Sequence, residues 1–224
     1  MALILNIETS TKNCSVSIAK EGTCIALKEE NNGNYSHAEK LHVFIEDILK
    51  EQQLKISDLD AIAVGKGPGS YTGLRIGVST AKGLAYAADI PLIAIDTLKA
   101  LAKSITIEKG LIVPMIDARR LEVYSIIFDA NFDLVRDVEA QIIDETSFKT
   151  YFDANQTLYF LGDGAAKCKS ILTDSNAVFI DDHFPSTQEM CALAELKFKD
   201  KAFEDTAYFE PFYLKDFMVT PSKK

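Results

Sequence analysis

A chain of 224 residues, 47% hydrophobic and 25% charged, has the apolar content for one large core or two small ones, which excludes a disordered chain. Its 24 basic and 33 acidic side chains give a net charge of −9, which argues against a main polyanion-binding surface, because affinity for phosphate backbone comes mostly from Lys and Arg. The longest apolar runs, 92–95 and 111–116, fall far short of the roughly 18 residues a membrane span needs, and MALILNIETS lacks a basic n-region, so no signal peptide is expected and the expected location is cytoplasmic.

Segments 3–8 (LILNIE), 14–19 (CSVSIA) and 23–29 (TCIALKE) read as three strands joined by S-T-K-N and E-G turns, a β-meander. With the second turn centred on Glu21 and Gly22, residue 20 pairs with residue 23. Cys14 then falls opposite Glu29, so no disulfide to Cys24 is expected. With Cys168 and Cys191 there is no C-x-x-C pair and no zinc-ribbon spacing, and all four read as reduced thiols. Leu41, Phe44, Ile45 and Ile48 follow an i, i+3, i+4, i+7 pattern that predicts an amphipathic helix over 36–49, and Ser36 with Glu39 predicts a capping box at its start. A strand (61–64), a Gly-rich loop (65–69), a helix (71–88), a strand (92–95) and a helix (98–105) follow, and such βα units imply parallel strands with helices on the sheet faces. Three antiparallel strands followed by βα units is the order of a ribonuclease-H-like lobe. From Lys109 the pattern repeats: strands 111–116, 122–128 and 134–142 with a turn at 131–133, a weak helix at 145–152, a strand at 158–161, the loop GDGAAK, a strand at 177–180 and a helix at 187–198. The last stretch, from Thr206, reads as an extended tail. The expected architecture is α/β with two ribonuclease-H-like lobes, 1–105 and a reduced 106–224.

The segment GKGPGSYTGLRIG at 65–77 follows a strand and opens a helix. Glycines let backbone approach a ligand closely, and a helix N-terminus offers unpaired N–H groups to phosphate. A tight turn with close helix packing explains the same residues. The stretch matches neither the Walker order nor the Rossmann fingerprint. Asp117, Arg119, Arg120 and Glu122 cluster at a strand connection, where Arg could pair with carboxylate or phosphate in bidentate fashion or simply face water. His37 and His42 are five apart on a helix, so they diverge by roughly 140° and do not share an ion. His183 is expected to be solvated, and no Ser-His-Asp or Cys-His triad is evident.

ILNIETS at the N-terminus, GKGPGSYTGLRIG, DARRLEVY at 117–124, GDGA at 162–165 and PFYLK near the C-terminus together span nearly the whole chain and closely resemble the TsaB (YeaZ) family, which usually has Phe in place of Tyr71. The resemblance implies lobes of the actin, sugar-kinase and heat-shock ATPase superfamily. It also implies a non-catalytic scaffold that activates a TsaD-like catalytic subunit, joined by a TsaE-like ATPase, in threonylcarbamoyl transfer to the adenosine beside the tRNA anticodon. On this reading tRNA is touched only indirectly, and the chain pairs with itself when alone. The partner surface lies on the helices 36–49 and 71–88, at Leu41, Ile45, Tyr71, Leu74, Arg75, Val78 and Lys82. A vestigial nucleotide site would comprise Glu8, Thr9, Ser10, Gly67, Gly69, Asp117, Gly162 and Asp163, with ATP or ADP and Mg²⁺ at a subunit interface; a strand end and turn with local hydroxyl bonds accounts for Glu8, Thr9 and Ser10 as well, and a plain turn for Asp163. The family more often has Asp at position 8, and the extra methylene of Glu8 shifts any metal geometry. TsaD-like chains carry two histidines four apart for a metal, and the missing pair argues against a metalloprotease. The alternative enzyme is a small ATPase or phosphotransferase using Glu8, Asp117 and Asp163.

Overall fold

The computed structural model describes residues 2–31, 33 and 36–215, which form two five-stranded mixed sheets. β1 (Leu3–Glu8), β2 (Cys14–Lys20) and β3 (Thr23–Glu30) form the first meander. Lys20 pairs with Thr23 as expected, but a bulge skips Ile25, so Ile18 faces Ala26 and Cys14 lies opposite Glu30 rather than Glu29. One extra residue in one strand shifts everything beyond it by one place. The four cysteines are free thiols.

Helix α1 (His37–Glu51) leads into β4 (Ala61–Gly67), α2 (Tyr71–Ala88) leads into β5 (Leu92–Asp96), and the short α3 (Thr97–Ala102) follows directly. The Ser36 side chain makes no capping bond; its φ of −109° and ψ of 10° lie outside the extended region that aims a cap, so the expected capping box does not form. Helix α2 is capped: the Gly73 N–H donates to Ser70 Oγ, and the helix ends at Asp89 in the left-handed region. β1 pairs antiparallel with β2 and parallel with β4, giving the order β3-β2-β1-β4-β5.

The second sheet contains β6 (Leu111–Asp117), β7 (Glu122–Asp129), β8 (Leu134–Ile142), β9 (Leu158–Leu161) and β10 (Ala177–Ile180), in the order β10-β9-β6-β7-β8. This is the connectivity of the first sheet repeated. Between β8 and β9, helix α4 covers only Lys149–Asp153. The expected start near 145 is lost because Asp144 accepts from the Thr146 N–H and from the hydroxyls of Thr146 and Ser147, a local turn that competes with helix.

The first sheet is buried on both faces. Leu5, Ile7, Val16 and Ile18 meet Leu41, Ile45 and Ile48 of α1 and Val78, Ala81 and Ala85 of α2. On the other face, Ile4, Ala63, Ile93 and Ile95 meet Ala100 of α3 and Met190 and Ala194 of α5 (Thr187–Lys199). Helix α5 has thus returned to the first sheet, and so has the tail: the Glu204 N–H donates to Leu92 O and the Phe212 N–H to Lys66 O. Residues 106–224 therefore do not all belong to a second lobe, because the apolar face of α5 fits the first sheet's open side. No helix among the described residues is long and apolar enough to cross a membrane.

Candidate functional site

Strand β1 ends in the turn Glu8-Thr9-Ser10, and the structure walls that turn in. Glu8 is fully buried. Its Oε1 accepts from the Ser10 N–H at 2.7 Å and its Oε2 from the Thr97 hydroxyl at 3.1 Å, while Thr97 Oγ1 accepts from the Gly67 N–H. Burial pushes the Glu8 carboxyl above its ordinary range, and these hydrogen bonds only partly offset it. The Thr9 hydroxyl donates to Gly73 O at 2.8 Å.

Four glycines spaced four apart press on this turn. A Cβ at Gly65 would overlap the Glu8 carboxylate, one at Gly69 would lie 2.5 Å from Ser10 O, one at Gly73 would overlap Thr9 O, and one at Gly77 would overlap Thr9 Oγ1. Glycine is needed here because α2 lies directly on the end of β1. Gly67, at φ 106°, instead packs beside Leu74 and Phe212 O. Glu8, Thr9 and Ser10, expected as nucleotide contacts, therefore do not fit a metal-and-phosphate role: the carboxylate faces Gly65 and Thr97 rather than open space.

The second group gathers at the end of β6. Asp163 Oδ1 accepts from the Asp117 N–H at 3.0 Å, and Gly162 packs on Met115 O. Burial pushes the Asp163 carboxyl up to about 6, the Asp117 charge adds to the rise, and Lys167 and Lys12 oppose it. Lys167 pairs with the exposed Asp117 and donates to Glu122 O. The charge of Lys12, which follows the first-lobe turn, is felt at Asp163. Neither Lys12, Lys167 nor Thr97 was foreseen from the motifs. An Asp-Thr pair at a strand end was the only visible sign of Thr97.

The expected partner residues divide sharply. Leu41, Ile45, Leu74 and Val78 are buried in the first-lobe core, so they are not partner contacts. The apolar stripe of an amphipathic helix faces its own sheet. Arg75 is exposed, but three of the expected residues already hold the tail. Tyr71 stacks on Tyr213 with ring centroids 4.9 Å apart, Arg75 Nε donates to the Tyr213 hydroxyl, and Lys82 Nζ donates to Ala207 O and Phe209 O. The outward face carries His42 and Val43 on α1 and Thr72, Ser79 and Tyr86 on α2, with Tyr86 84% exposed.

His37 is buried and its Nε2–H donates to Thr11 O at 2.7 Å, whereas His42 faces solvent, in keeping with their divergence along the helix. Burial lowers the His37 pKa. His183 is not simply solvated: its Nδ1 lies 3.0 Å from the Ser104 hydroxyl.

Two sheets of one connectivity, each ending its central strand in a glycine-packed carboxylate turn, place the molecule in the two-lobed actin and sugar-kinase class. A family model described as "TsaD: tRNA N6-adenosine threonylcarbamoyltransferase" matches residues 32–221. TsaB of Bacillus subtilis strain 168, a tRNA threonylcarbamoyladenosine biosynthesis protein, is 31% identical over 224 aligned residues, covering 95% of this chain and 93% of the relative. The structure of YeaZ from Pseudomonas aeruginosa superimposes with a TM-score of 0.82 at 26% identity, covering 96% of this chain and all of that one. The chain belongs to the TsaB (YeaZ) family. A tRNA N6-adenosine threonylcarbamoyltransferase of Bacillus anthracis is 37% identical over 108 residues, 42% of this chain and 32% of that protein.

Proposed function

We propose that this chain is the non-catalytic subunit that supports a TsaD-type transferase, together with a TsaE-type ATPase, in threonylcarbamoyl transfer to the adenosine beside the tRNA anticodon. The observation that carries this reading is the sealed turn at Glu8-Thr9-Ser10. Its carboxylate is held by Ser10 and Thr97, its Thr9 hydroxyl by Gly73, and four glycines close the space around it. A metal-bound phosphate would need those groups turned outward.

Pairing with the transferase is supported by the 108-residue stretch the two proteins share, which gives the catalytic chain a counterpart of part of this fold. Related lobes can meet through equivalent helices, and a second copy of this chain can take the same place when the transferase is absent. The outer faces of α1 and α2 are assigned to that contact, with Val43 near its centre. RNA is held mainly by the other subunit, and the assembly works in the cytoplasm.

The test is reconstitution of tRNA modification from purified transferase, ATPase and tRNA, with and without this chain. Modification that depends on the chain, and a complex on a sizing column weakened by Val43→Asp or Ser79→Glu at unchanged melting temperature, is the expected result. Brisk ATP turnover by the chain alone, abolished by Glu8→Ala, would instead establish the small-ATPase reading.

A further inference from the structure

We propose that the tip of the β6–β7 hairpin, Arg119 and Arg120, grips the phosphate backbone of the RNA on which the assembly acts; the inference rests on the function proposed above.

Both residues sit in the left-handed backbone region, with φ of 72° and 52°. Gly, and to a lesser degree Asn, adopts such angles readily, whereas Arg does so only under strain. Folding alone thus gives no reason for arginine here, and both side chains are exposed. The carboxylates that could hold them are already engaged. Asp117 Oδ1 accepts from the Arg119 backbone N–H at 2.7 Å and pairs with Lys167, while both Glu122 carboxylate oxygens accept from Lys215. Among the described residues, neither guanidinium has a hydrogen-bond or ion-pair partner. Asp117 therefore anchors the backbone of the tip and leaves two adjacent guanidinium forks pointing into solvent. Such planar forks match phosphate oxygens two at a time, a geometry lysine lacks. The overall charge of −9 keeps this an auxiliary grip of about two phosphates.

The test measures tRNA affinity of the reconstituted complex of this chain and the transferase by fluorescence anisotropy across a range of salt concentrations. Replacing both residues by alanine should weaken binding about tenfold and make the plot of log affinity against log salt shallower by about one to two, since each phosphate contact contributes roughly 0.9. Arg119→Asn combined with Arg120→Gly relaxes the turn, so that variant should melt higher than the native chain and still bind RNA more weakly. Unchanged affinity and slope in both variants would overturn the proposal. So would weakened binding to the transferase with RNA affinity intact, which would reassign the arginines to a protein contact. A native assembly that fails to modify tRNA would defeat the proposed function as well, which separates that failure from a failure of the arginines alone.

Discussion

The two sheets repeat one connectivity, yet their central strands end in different surroundings. In the first lobe the crossover from β4 to β5 is the 18-residue helix α2, and its Gly73 and Gly77 lie flat on the Thr9 turn. In the second, the connection from β9 to β10 contains only a three-residue 3-10 turn, Ala166–Cys168, too short to lie across the loop beneath it. Each lobe holds a carboxylate there: Glu8 ends β1 itself, and Asp163, in the loop after β9, accepts from the Asp117 N–H at the end of β6. Glu8 is sealed among neutral donors, whereas Asp163 stays half-buried beside Asp117, Lys167 and Lys12. The crossover segment, rather than the sheet, decides whether a strand-end carboxylate is enclosed or remains in reach of neighbouring charges.

The sharpest way to break this comparison is Gly73→Ala. The new methyl would overlap the Thr9 carbonyl, backbone against backbone, so helix and turn must separate. A loss of about 3 kcal/mol is expected, read as a fall of several degrees in melting temperature. Gly164→Ala, the second-lobe counterpart, brings its methyl to 2.9 Å from the Ile116 carbonyl carbon. The loop there is covered less tightly, and about 1–2 kcal/mol is expected. Equal losses at the two positions would mean that α2 seals nothing.

A smaller effect separates the carboxylates by pH. Asp163 moves from 3.8 to about 6 on folding. Between those values the folded state keeps a proton that the unfolded state has released, so this group's stabilising contribution is fully present below about pH 4 and is lost as pH rises through 6. Partial access of water to the site leaves about 1 kcal/mol. Asp163→Asn should remove that part of the slope in melting temperature between pH 4 and 6, and a slope unchanged in the variant would assign it to other groups, Glu8 first among them.

Much of this contrast could be read from the sequence, and the rest depended on distance along the chain. Apolar periodicity located α1, the alternation of strands and helices located α2, and the repeated meander located both sheets. The family resemblance put Leu41, Ile45, Leu74 and Val78 on a partner surface, but an apolar stripe marks only the covered side of a helix, and here the first lobe itself covers it. The glycines at 65, 69, 73 and 77 announced a close approach, but the groups they approach, Glu8 to Ser10, lie more than fifty residues earlier in the chain. Helix α5 looked alike wherever it docked. Its return to the first sheet follows from Met190 and Ala194 filling that sheet's uncovered face, a fact of packing that no local pattern encodes. The hairpin arginines were visible as a cluster, but the strain that distinguishes them is a property of backbone angles.

The smallest expected effect lies on the same helix as the largest. Gly83 is exposed on α2, and a Cβ there would meet nothing within 4 Å. Glycine in a helix interior is less favourable than alanine by roughly 0.5–1 kcal/mol, because the unfolded chain has more freedom to lose. Gly83→Ala should therefore raise the melting temperature by about 1–4 °C, opposite in sign to Gly73→Ala ten residues away. If it does so and leaves the affinity for the transferase unchanged, glycine at 83 has no part in docking. If stability rises while affinity falls, a partner's backbone comes as close to Gly83 as the Thr9 turn comes to Gly73, and the outer face of α2 uses the device already visible on its inner one.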